Sequence, residues 1–178
     1  MFDNSFLGYL QLLELMAFFS GFPLVYSIAL FVSGKISASN PKLDLRRLLP
    51  YAYALVGTLY LGYLLKNLYP DYSIANIKNS FQHPFLVTWA LLSLLFWIPA
   101  INKRPILSLL HSLVFFFFLL RDLYIQITDT AADKNILSND VKIYTTSLMI
   151  NFCALIFILL IYLMYRLLTK KKSHLQHK

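Results

Sequence analysis

The chain has 178 residues, of which 58% are apolar, 16% aromatic and only 13% charged, with a formal net charge of +8. A soluble domain carries about a quarter charged residues, so these proportions exclude an ordinary soluble globule. The apolar residues crowd into runs of the length a helix needs to cross a bilayer, about 20 residues, and the runs are continuous rather than alternating, which excludes barrel strands.

Breaks at charged or proline-bearing stretches divide the chain into five predicted transmembrane helices, at 6–33, 48–69, 84–101, 105–127 and 143–168. The expectation is a single all-α domain, a polytopic membrane helix bundle. Pro50, Pro84 and Pro105 sit in first turns, where the missing amide is one that would be unpaired anyway. Pro23 lies inside the first run, so a kink or break is expected at "SGFP". The start "MFDNSF" has no basic n-region, and Phe occupies position 2, so the first span is expected to remain as a span without cleavage or N-terminal acylation. The loops at 34–47, 71–83 and 128–142 each fall far short of a domain of about 50 residues.

Orientation follows from positive charge, because short loops rich in Lys and Arg stay cytoplasmic. Lys35, Lys42, Arg46, Arg47, Lys103, Arg104, Arg166 and the "TKKKSHLQHK" tail fall on one side of the five-span map. Lys66, Lys78, Arg121, Lys134, Lys142 and every acid except Asp44 fall on the other. The N-terminus is therefore expected outside and the C-terminus in the cytoplasm. This distribution accounts for the net charge without nucleic acid as a partner; the tail reads as an anchor that meets anionic headgroups.

Within this map one polar cluster stands out. The fourth run ends "FFFFLLRD", placing Arg121 about 24 Å along its helix from Pro105, near the outer edge of a core about 30 Å thick. Glu14 enters from the opposite direction, about 12 Å along from Phe6. Lys66 closes the second span, His83 precedes the third, and Asn151 lies inward along the fifth. Glu14, Lys66, His83, Arg121, Asp122 and Asn151 are thus predicted to share the outer leaflet. A carboxylate in hydrocarbon costs several kcal/mol unless it pairs, so Glu14 is expected to face inward toward Arg121 or Lys66. The structural alternatives are that Arg121 and Asp122 snorkel to fix depth, and that His83 is a loop residue.

Small and polar residues mark the packing faces: Gln11, Glu14, Ala17 and Gly21 in the first run, Ala54, Thr58 and Gly62 in the second, Ser108, His111 and Ser112 in the fourth, Ser147 and Asn151 in the fifth. His111 is expected in an interhelical hydrogen bond rather than as a ligand, and Cys153, the single cysteine, as a packing residue. Zinc-protease, phosphate-loop and nucleophile-elbow motifs are absent from the sequence, and no cofactor or metal is expected.

Three functional readings remain. The first is a non-enzymatic membrane subunit or accessory protein that packs among lipids with a protein partner or a second copy of itself. The second is a solute, ion or proton pathway, or a pocket open to the outer side, built on the Glu14 cluster. The third is a membrane-embedded enzyme acting on a lipid, with Glu14 or His83 as acid or base. The compact chain with its positive-inside bias has the style of a bacterial inner-membrane protein.

Overall fold

A computed structural model of the protein describes residues 4–39, 45–73, 76–77, 81–128 and 134–175. The described residues form seven α-helices: α1 (Asn4–Phe19), α2 (Phe22–Ser39), α3 (Leu49–Leu68), α4 (Pro84–Leu91), α5 (Pro99–Asn102), α6 (Pro105–Thr128) and α7 (Lys134–Leu175). Two 3-10 segments, Leu45–Arg47 and Leu92–Trp97, lead into α3 and follow α4. The protein is a helical bundle, and among the described residues four stretches are long and apolar enough to cross a membrane: Phe6–Gly34, Leu45–Leu68, Pro105–Ile125 and Val141–Thr169.

The first run breaks at "SGFP", as its proline predicts. Pro23 brings no N–H to the carbonyl four residues back, so α1 ends at Phe19 and α2 starts after a Ser20–Gly21 turn. Ser20 folds back, donating both its backbone N–H (3.0 Å) and its hydroxyl (2.7 Å) to the Met16 carbonyl. The other freed groups are satisfied from α7. The Gly21 N–H donates to Ser147 Oγ at 2.8 Å, and Asn151 Nδ2 donates to the Phe18 carbonyl at 2.7 Å. A broken helix survives in hydrocarbon only when neighbours supply such partners.

The third apolar run departs from the expectation of a regular spanning helix over 84–101. It is eight residues of α-helix, six of 3-10 helix and the short α5. Pro99 causes the last break: it pushes Ile98 into an extended conformation (φ −74°, ψ 123°). The 3-10 stretch lies against α3 where Gly57 faces the Ser93 hydroxyl, an approach that leaves no room for a Cβ. Because 3-10 helix rises about 2.0 Å per residue, residues 84–97 still cover about 24 Å. Phe81 and Gln82 lie beside Leu68, and Asn102 and Lys103 lie beside Leu48, so the run traverses the length of α3.

The core is aromatic. Phe19 stacks on Phe115 with centroids 4.9 Å apart, and edge contacts join Phe19 to Tyr53 and Tyr60 at 5.8 and 5.4 Å. Of the four consecutive phenylalanines, Phe115 is buried, Phe116 and Phe118 are half-buried and Phe117 is exposed, the rotation expected of a helix with one face in the core.

Candidate functional site

At the end of the bundle where α1 begins and α3 finishes, a cleft of about 360 Å³ is lined by Leu7, Leu10, Gln11, Glu14, Leu64, Asn67, Leu68, Phe81 and Gln82. Glu14 is half-buried in its wall. The expected cation is not beside it. Among the described residues no ion pair to Glu14 forms, and its carboxylate accepts the Tyr63 hydroxyl at 2.5 Å. Asn67, one turn further along α3, lines the same cleft. Glu14 is only half-buried, so its carboxylate is not fully enclosed and a phenol at contact replaces the expected counter-charge.

His83 is held by backbone and packing. Its N–H donates to Gln11 Oε1 at 2.7 Å, and its imidazole lies so close over Gly8 that a Cβ there would stand 3.1 Å from Nε2. His83 also borders a second cleft, about 520 Å³, whose wall includes Leu12, Gln82, Phe85, Phe118 and Arg121. Gln82 lines both clefts, so Glu14 and Arg121 stand on opposite sides of the Gln82–His83 corner. Lys66 is exposed and lines neither cleft; Asp122 is half-buried and lines neither. Asn151 is apart from the group, 1% exposed against the α1–α2 break, with its amide committed to the Phe18 and Ser147 carbonyls. Of the predicted six, Glu14 lines one cleft, His83 and Arg121 line the other, Asn151 forms a structural bridge, and Lys66 and Asp122 line neither cleft.

A polar constellation outside those six is built more tightly. His111 sits between α3 and the α4 segment with both ring nitrogens engaged: Nδ1 lies 2.7 Å from Tyr53 Oη and Nε2 lies 2.8 Å from the Trp89 carbonyl. A carbonyl only accepts, so Nε2 carries the proton and Nδ1 of the neutral ring accepts from Tyr53. The Trp89 indole returns a hydrogen bond to the His111 carbonyl at 3.2 Å, and the two rings stack 4.8 Å apart at 4°. Phe96 and Phe115 close the surround at 6.0 and 6.3 Å. The interhelical bond expected of His111 is present; the roles of Tyr53 and Trp89 leave no local pattern in the sequence.

No protein-family model, curated protein or solved structure matches this chain. Its chemistry is read from these residues alone. Among the described residues no three His, Cys, Asp or Glu side chains gather to hold a metal ion. What the open end offers is one accessible carboxylate ringed by amides. Its energetics are testable: Glu14→Gln still accepts from Tyr63 and is expected to change stability by about 0.6 kcal/mol or less. Tyr63→Phe strips the carboxylate of its donor and is expected to cost about 1–2 kcal/mol. Thermal unfolding in mild detergent compares them, and the reverse order would show that Glu14 is not held as a carboxylate.

Proposed function

We propose that the chain is a non-enzymatic integral protein of a bacterial inner membrane, an accessory protein or subunit that packs with a partner or a second copy of itself. The observation that carries this reading is how the interior polar groups are used. His111 has both nitrogens committed, Gln11 holds the His83 backbone, and Ser147 and Asn151 mend the α1–α2 break. These bonds position helices, a packing use of interior polar groups. A surface for packing exists on α6. Ile106, Leu110, Leu113, Phe117, Leu120, Tyr124 and Ile127 are all exposed and follow the alternating three-and-four spacing of a helix–helix seam.

Five passes with the N-terminus outside is the topology that goes with this reading. The α4–α5 run reaches from one end of α3 to the other, and Arg46, Arg47, Lys103, Arg104 and Arg166 belong to the end opposite Glu14.

Purification in mild detergent, with mass spectrometry and sedimentation, is expected to yield a stoichiometric companion or a self-associated species. Phe117→Ala combined with Tyr124→Ala is expected to weaken that association while leaving the fold intact, since both side chains face outward. A lone monomer at all concentrations would refute the reading. A second reading, a pocket for a small polar solute, is favoured by the Glu14 cleft; it requires solute binding or uptake that Glu14→Gln abolishes in the folded protein.

A further inference from the structure

At the basic end, a cavity of about 650 Å³ is walled by Arg47, Leu48, Tyr51, Asn102, Lys103 and Tyr162 among others. Arg47 and Lys103 are exposed, one from the turn before α3 and the other from the turn before α6. Three of those wall residues, Leu48, Tyr51 and Tyr162, also line an entirely apolar groove of about 320 Å³ that adds Trp97, Ile158 and Ile161. One turn further along α3 and α7 a separate apolar hollow of about 610 Å³ lies between Leu55, Leu59, Cys153 and Phe157. The basic cavity therefore adjoins an apolar groove between α3 and α7, and the hollow lies further along the same two helices. From Leu48 to Leu59 the stretch of α3 that borders the groove and the hollow is about 16 Å long, close to the depth of one leaflet, about 15 Å.

We infer that this composite site holds one anionic phospholipid, its phosphate between Arg47 and Lys103 and one acyl chain along the apolar groove between α3 and α7. Arginine pairs with phosphate oxygens through charge-assisted N–H bonds, which Arg47 would supply alongside its contact within the protein, and Lys103 adds a mobile ammonium. Tyr51 and Tyr162 stand at the junction, an apolar ring body beside the chain and a hydroxyl beside the headgroup. A phosphatidylcholine headgroup would bring its quaternary ammonium against two cations. A phosphatidylglycerol headgroup brings only the phosphate charge and hydroxyls, so the anionic lipid is selected. The inference goes beyond the proposed packing function and does not depend on what α6 meets.

Trp97 lines the apolar groove and is 43% exposed, with its ring 6.0 Å from Tyr51, which makes it a built-in reporter. The other tryptophan, Trp89, is half-buried on His111 and contributes a constant background. The protein is reconstituted into phosphatidylcholine vesicles, and a small fraction of lipid carrying brominated acyl chains is introduced as either phosphatidylglycerol or phosphatidylcholine. Brominated phosphatidylglycerol is expected to quench Trp97 at a markedly lower fraction, by about fivefold for each of the two basic residues. In Arg47→Gln/Lys103→Gln the two quenchers should become equivalent. Lys170→Gln/Lys171→Gln/Lys172→Gln, which neutralises the tail, should keep the preference. Equal quenching in the native chain would mean annular lipid only and overturn the site. A preference that survives the double substitution, or that vanishes with the tail lysines, would overturn it as well.

Discussion

Gly21→Ala is expected to be the most damaging single-methyl change in the protein, costing about 3 kcal/mol of stability. A Cβ at Gly21 would stand 2.6 Å from the Leu148 backbone nitrogen and 2.7 Å from the Ser147 carbonyl carbon. Both are backbone atoms of α7, which cannot swing aside as a side-chain tip can. Relief requires α7 to move from the α1–α2 turn, and that movement lengthens the Gly21 N–H to Ser147 and Asn151 to Phe18 hydrogen bonds. The steric cost and the loss of the mended break therefore come together. Gly34 and Gly62 are internal controls, because a Cβ at either meets nothing within 4 Å. Gly34→Ala and Gly62→Ala remove a poor helix former and are expected to be neutral or to stabilise by up to about 1 kcal/mol. Gly57→Ala should fall between these limits, since its obstacle is the Ser93 hydroxyl, which can rotate by giving up its bond to the Ala90 carbonyl. Thermal unfolding of the four variants in one detergent ranks them. A Gly21→Ala protein as stable as Gly34→Ala would refute the close approach of α7.

These cases show which parts of the structure the sequence carries. The α1–α2 break was legible because proline acts through its own missing N–H, wherever the chain goes afterwards. The packing faces at Gly21, Ser147, Asn151 and His111 were legible because small and polar residues in a greasy helix have few places to point. The irregular third run was not legible as 3-10 helix. Its apolar content reports burial rather than the rise per residue, and the tightening depends on how closely α3 approaches at Gly57. Depth arithmetic grouped Glu14 with the close of the second span, and Glu14 does share a cleft with Asn67 and Leu68, but the arithmetic did not name its partner. Charge alone suggested Lys66 or Arg121, whereas Lys66 is exposed away from the cleft and Tyr63, an aromatic residue among twelve tyrosines, carries the hydrogen bond. Asn151 shares its end of the chain's polar inventory with Glu14, yet its amide is used on a carbonyl that only the broken first helix leaves available. Partners that come from elements distant in sequence leave no local pattern.

His111→Ala is expected to cost about 3–5 kcal/mol, the range for truncating a large buried ring, through two separable losses. One is volume: the imidazole fills the space between the Trp89 ring, stacked at 4.8 Å, and the Tyr53, Phe96 and Phe115 edges at 5.5, 6.0 and 6.3 Å. The other is polar: the Tyr53 hydroxyl, on a side chain 0% exposed, loses its acceptor and has no water to replace it. Tyr53→Phe isolates the second loss by leaving Nδ1 without a donor, and is expected to cost about 1–2 kcal/mol. The Tyr53→Phe/His111→Ala pair should then be less damaging than the sum of the singles, because the phenylalanine no longer buries an orphaned hydroxyl beside the cavity. A coupling of at least about 0.5 kcal/mol is expected for groups in direct contact. Trp89 supplies an independent readout: with the stacked imidazole removed, its emission should change in His111→Ala and stay near that of the native protein in Tyr53→Phe. Strict additivity together with unchanged Trp89 emission would mean that His111 does not tie α3 to the α4 segment, and that the bundle closes on its aromatic rings alone.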